Sequence, residues 1–120
     1  MVKNIVRKAA EREVKVISEM RGGPGETKLI NLINDPEELG GKGRLYAKVI
    51  LRPGCGVGWH VHEDDSELYY ILKGTVIYDD DGVKKEITVG DVTITGNGAG
   101  HALMNESDSD VELVALVLYK

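Results

Sequence analysis

Cysteine occurs once in this 120-residue chain, at Cys55, so no intrachain disulfide can form. No run of Lys and Arg stands anywhere in it, and acidic groups outnumber basic ones by 20 to 15. That balance argues against nucleic acid as a partner, because phosphate recognition draws on clustered cations. Long apolar runs are missing as well. The longest, residues 113–119, is far too short to cross a bilayer, so no membrane is expected. The first sixteen residues, MVKNIVRKAAEREVKV, carry charge throughout and lack the apolar stretch of a secretory signal, which makes the cytoplasm the expected address. No internal repeat, low-complexity tail or helix-turn-helix pattern is visible.

What is present is a soluble-domain composition, 42% hydrophobic and 29% charged, at a length that suits one compact domain. Fifteen glycines punctuate short β-branched and aromatic runs, a texture that predicts an all-β sandwich or barrel. The expected strands are residues 14–18, 28–33, 44–51, 59–62, 67–72, 75–79, 84–88, 92–95, 101–105 and 111–119. Turn chemistry separates them: Arg21-Gly22-Gly23-Pro24-Gly25, Glu63-Asp64-Asp65-Ser66 and Asp79-Asp80-Asp81-Gly82. One helical turn is expected at 34–39, with Pro36 near its start, and a short helix at 6–12 is a weaker reading.

Alternation assigns the faces, since successive strand residues point to opposite sides. Lys48 and Arg52 mark a wet face, which turns Leu45, Ala47, Val49 and Leu51 inward. Glu112 does the same for Val111, Leu113, Ala115 and Val117. Two strands break the rule by carrying apolar rows outward: Leu68, Tyr70 and Leu72 on one, Val114, Leu116 and Leu118 on the other. Such rows call for a cover. A two-fold homodimer would supply it, and so would the first forty residues if they folded over the rows.

The three histidines fall into one pattern. His60 and His62 share a strand face about 7 Å apart. Glu67 stands at the start of the returning strand, and His101 comes from a distant one. A lone buried histidine is usually a core or hydrogen-bonding group, but that does not account for a His-x-His pair followed by Glu in this β pattern. Three imidazoles with one carboxylate suit one divalent transition metal, with Mn or Fe favoured and Zn, Ni or Co possible, rather than Mg or Ca. Four ligands leave positions open for water, dioxygen or a ligand oxygen.

Residues 54–74, GCGVGWHVHEDDSELYYILKG, resemble the first motif of the cupins through Gly54, His60, His62, Glu67 and Gly74. Residues 90–105, GDVTITGNGAGHALMN, resemble the second through Gly90, Gly98, His101 and Asn105. Gly96 stands where the family usually has proline, which should loosen that turn without removing a ligand. The 15 residues between the motifs match the shortest spacing in the family. The resemblance implies a double-stranded β-helix, a jelly roll closed into a barrel, with a metal held by His60, His62, Glu67 and His101. On this reading residues 1–120 form a single cupin domain: 1–43 an N-terminal arm with extra strands, 44–120 the barrel.

Beside the metal, the expected pocket-lining residues are Ala47, Val49, Val57, Tyr69, Leu103, Leu113 and Ala115, with Ile71 also inward. Gly56 and Gly58 would leave space, unless they mark a bulge. Tyr69 is either a polar tip in the pocket or a barrel-filling aromatic. No Arg or Lys falls at an expected inward position. Oxalate decarboxylases carry an arginine three residues before the first ligand histidine, where this chain has Val57. A small dianion would then depend on the metal alone, or on an arginine of the arm such as Arg21. The expected chamber is therefore apolar, preferring a chelating ligand with an apolar body and binding oxalate weakly.

Cys55 reads as packing, and Glu63, Asp64 and Asp65 as a solvated turn from which one acid could shuttle protons. Asp79–Asp81 lacks the ligand spacing of a calcium loop. Asn105 reads as structural. Function is left with two readings. One is a small-molecule metalloenzyme acting on an oxygen-rich ligand by oxygenase- or decarboxylase-like chemistry. The other is a non-catalytic module that binds or senses a small-molecule ligand. No catalytic acid or base can be named from the residues.

Overall fold

The computed structural model describes residues 2–120. Ten strands carry the chain: β1 (Val14–Ser18), β2 (Glu26–Asn31), β3 (Gly43–Leu51), β4 (Gly56–Val61) and β5 (Asp65–Lys73). They continue as β6 (Thr75–Asp80), β7 (Val83–Thr88), β8 (Val92–Thr95), β9 (Gly100–Met104) and β10 (Val111–Tyr119). One sheet has the order β1-β2-β3-β10-β5-β8 and the other β4-β9-β6-β7. Every pairing is antiparallel. The two sheets face each other as a jelly roll.

Alternation does what the sequence requires of it. Along β10, Val111, Leu113, Ala115 and Val117 are buried at 1% exposure or less, while the residues between them are half-buried. Across the pairing, Leu113 meets Val49 on one side and Ile71 on the other, and Ala115 meets Ala47 and Tyr69. These residues, with Leu51, Val76, Tyr78 and Leu103, fill the space between the sheets. Asn105, fully buried, ties the wall together as expected. Its side-chain amide donates to the carbonyls of Leu51 and Ser109, each at 2.9 Å, and its carbonyl accepts from Ser107 N.

Three expectations shift. The second strand is Glu26–Asn31 rather than 28–33, because Leu32 and Ile33 both turn their N–H groups onto the Tyr46 carbonyl. The segment 6–12 makes only a 3-10 turn at Ala9–Glu11, too short a stretch to repay helix nucleation. The first forty residues do not fold over the outward rows. Instead β1 and β2 extend the same sheet edgewise, which leaves Tyr70 and Leu72 exposed and Leu68, Val114, Leu116 and Leu118 half-buried. The turn at Pro36–Leu39 forms as read, with the Asp35 carboxylate accepting from Glu37 N at 2.8 Å.

Candidate metal centre

β4 and β9 pair so that His60 lies directly opposite His101. His62 follows two residues on, and Glu67 reaches the same point from β5. Glu67 and all three imidazoles are at least nine-tenths buried by side chain. The Nε2 atom of His101 lies 2.9 Å from that of His60 and 3.2 Å from that of His62. Glu67 Oε1 lies 2.9 Å from His101, 3.2 Å from His62 and 3.5 Å from His60.

Each imidazole is fixed from behind. His60 Nδ1 donates to the Gly58 carbonyl at 2.8 Å, His62 Nδ1 to the Asp65 carboxylate at 2.6 Å, and His101 Nδ1 to the Tyr78 hydroxyl at 3.0 Å. A proton committed to Nδ1 leaves a lone pair on Nε2, and all three lone pairs converge. Without a cation, imidazole nitrogens 2.9 Å apart must share a proton or repel. Ligand atoms about 2.1 Å from a common ion and at right angles would stand about 3 Å apart, which is the spacing seen. The residues therefore fit a divalent transition metal.

Electrostatics support that role. In the absence of a cation, burial alone would push the Glu67 carboxyl up, but hydrogen bonding with His101, His60 and His62, whose Nε2 atoms can then carry protons, outweighs it and holds Glu67 ionised. Burial pulls His101 down, toward the neutral form that a metal needs, while the hydrogen bond to Glu67 pushes His62 up. Tyr69 stacks on the His101 ring, centroids 5.0 Å apart, and donates to Glu67 Oε1 at 3.0 Å. Burial, then the nearby Glu67 charge, pushes its hydroxyl well above the usual range.

A cavity of about 40 Å³ opens beside the cluster. Val49, Val57, Tyr69, Leu103 and Ala115 line it with His60, His62 and Glu67. Ala47 and Leu113 are fully buried in the wall and do not reach it. Met20, Arg21, Thr27, Leu29, Arg44 and Leu45 complete the lining, and the two arginines overturn the expectation of a purely apolar chamber.

Arg44 shares the parity of Lys48 and is exposed, yet it lines the cavity. A register shift of β3 against β10 falls at this residue, between the pairs Val117↔Leu45 and Leu118↔Gly43. A bulge re-aims a side chain, and no sequence pattern announces it. Arg44 Nε donates to Asp65 Oδ2 at 3.2 Å, so Asp65 is no free turn acid; it links Arg44 to His62.

Arg21 comes from the arm. Its 3-10 turn, Met20–Gly22, is pressed onto β4, with Arg21 itself at φ 54°. A side chain on Gly58 would collide with the Arg21 carbonyl, and one on Gly23 with Gly56 O and Gly58 N. Gly56 N donates to Pro24 O at 2.9 Å. Gly58 therefore leaves space for the backbone of the arm, and Gly56 for that of β9, rather than for a ligand; a bulge lies there too, between Val57 and His60. Gly96, in place of the family's proline, sits close against Ser66.

The family model described as "Cupin domain" matches residues 47–118. This chain is a cupin. An oxalate-binding protein of Thermotoga maritima is 38% identical to this cupin over 95% of the chain and 93% of its own length. A crystal structure from Thermotoga maritima, of a predicted oxalate decarboxylase, superposes with a TM-score of 0.91 at 37% identity. The match covers 97% of this cupin and all of that chain. An RmlC-like cupin from Shewanella frigidimarina shares the fold, with a TM-score of 0.71 at 16% identity, over 98% of this chain and 93% of the other. Family and relatives together support a metal-binding cupin with a small-molecule ligand. Among the described residues, no helix is long and apolar enough to cross a membrane.

Proposed function

We propose that this cupin captures a small dicarboxylate of the oxalate class at a divalent metal held by His60, His62, Glu67 and His101, with Mn or Fe favoured. The observation that carries the reading is Arg21 on the cavity wall. Arg44 is neutralised by Asp65, whereas Arg21 has no carboxylate partner among the described residues. A bound divalent ion supplies Lewis-acid coordination of carboxylate oxygens. Counting that ion, Glu67 and Arg21, the site carries a net charge of about +2, matched to a dianion. The cavity is also small, about 40 Å³, which suits a compact ligand. A relative named for oxalate binding agrees.

Capture is favoured over turnover. Decarboxylation would need a proton donor beside the ligand carbon. The ionisable groups that line the cavity are three of the candidate ligands, His60, His62 and Glu67, two arginines, and a tyrosine whose hydroxyl is spent on Glu67. The reading keeps the chain, with its single thiol, in the cytoplasm. It also places a second copy on the outer sheet face. That face is apolar and its central charges cancel, Lys48 and Glu112 pairing at 2.6 Å, so like can pack on like without repulsion.

Calorimetry of the Mn-loaded protein tests the ligand. Oxalate should bind and acetate should bind far more weakly. Arg21→Ala should weaken oxalate by about ten- to a hundred-fold, the worth of one charge-assisted hydrogen bond. Oxalate binding that is absent, or indifferent to Arg21, overturns the reading. Release of carbon dioxide or formate from oxalate would favour the enzyme instead.

A further inference from the structure

Thr27 lies in β2, on the inward parity shared with Leu29 and Asn31, and is fully buried. It lines the same cavity as His60, His62 and Glu67. Its hydroxyl has no hydrogen-bond partner in the protein. Buried hydroxyls are ordinarily paired, and valine has the same shape without the polar atom. Asn31 on the same face is also polar, yet of the inward β2 residues Thr27 alone both lines the cavity and holds a buried hydroxyl without a partner. Arg21, six residues earlier on the same arm, lines the cavity too.

We infer that Thr27 is a ligand-binding residue, whose hydroxyl donates to an oxygen of the bound acid that the metal does not hold. This rests on the reading of the cavity as an oxalate-class site and adds a specificity element to it. The metal cluster grips one end of the ligand from β4, β5 and β9, and the arm supplies the donors for the other: a guanidinium from Arg21 and a neutral hydroxyl from Thr27. A neutral hydroxyl donates to a carboxylate or a carbonyl oxygen alike. Thr27 therefore favours two-carbon acids with a second oxygen function over simple monocarboxylates.

The test compares Thr27→Val and Thr27→Ser with the unaltered protein, all Mn-loaded, by calorimetry against oxalate, glyoxylate and acetate. Thr27→Val should weaken oxalate and glyoxylate by about three- to ten-fold, the worth of a neutral hydrogen bond, and leave acetate unchanged. Thr27→Ser should keep most of the affinity. Manganese stoichiometry should not change, and the ligand-free Thr27→Val protein should melt no lower than the parent. Equal oxalate affinity in the valine variant, or a lowered melting temperature in the absence of ligand, overturns the inference. If the unaltered protein binds none of the acids, the reading of the cavity itself fails, and the role of Thr27 fails with it.

Discussion

Asp65 shows how much a single residue can carry here. It reads as one acid among three in a turn, yet its two oxygens bridge Arg44 at 3.2 Å and His62 at 2.6 Å. Its own carboxyl is held down: burial would raise it, but the hydrogen bonds with His62 and then Arg44 prevail. The carboxylate fixes the tautomer of His62 and makes that imidazole a stronger ligand. Losses of such partners typically cost about ten- to a hundred-fold in metal affinity. Asp65→Asn should therefore weaken manganese by about that factor without unfolding the protein, and Asp65→Glu should recover part of it. Competition with a chelating indicator measures this. Unchanged metal affinity in the asparagine variant would show that Asp65 serves only the turn.

Among the elements, the decisive one is the arm turn Met20–Gly22, because it delivers Arg21 to a barrel built from other strands. Arg21 within it, at φ 54°, and Glu19 just before it, at φ 50°, adopt the left-handed region. Non-glycine residues pay for that with roughly 1 kcal/mol or more each. The contacts that hold the turn are backbone against backbone, made possible by Gly58 and Gly23. Gly58→Ala sets a methyl group against the Arg21 carbonyl. It should destabilise the fold by about 1–3 kcal/mol, as overpacking does. It should also weaken oxalate as far as Arg21→Ala does, while the four metal ligands stay in place. Chemical denaturation and calorimetry on the same sample decide the point. Full stability with full affinity would mean that the arm is not seated on β4.

At the scale of the whole molecule, the outer face of the six-stranded sheet is unfinished. Tyr70 pairs across to Val114 and Val92, and Leu68 to Leu116 and Ile94, so the apolar rows run unbroken over three strands. Tyr70 is 48% exposed, Val92 58% and Ile94 69%. Patches of this kind on soluble domains mark interaction surfaces. Light scattering should give twice the 13.1 kDa chain mass, and Tyr70→Lys should shift the population toward single chains. A monomer at micromolar concentration would leave the rows without the proposed occupant.

The sequence by itself determined the fold class and the four candidate ligands, because both depend on local pattern. Period-two alternation with glycine turns dictates β-strands, and His60, His62, Glu67 and His101 sit at fixed places on them. The outward rows of β5 and β10 were legible for the same reason. The tertiary structure decided the rest, where distant segments meet. The register shift at Arg44, the seating of Arg21 against Gly58 and the orphaned hydroxyl of Thr27 each arise from contacts between strands far apart in the chain. So does the pairing of Tyr78 with His101 across two sheet neighbours. Alternation says which way a side chain points, but only packing says what it meets there. For this cupin that difference turned an expected apolar chamber into a small one edged with cationic and hydroxyl groups.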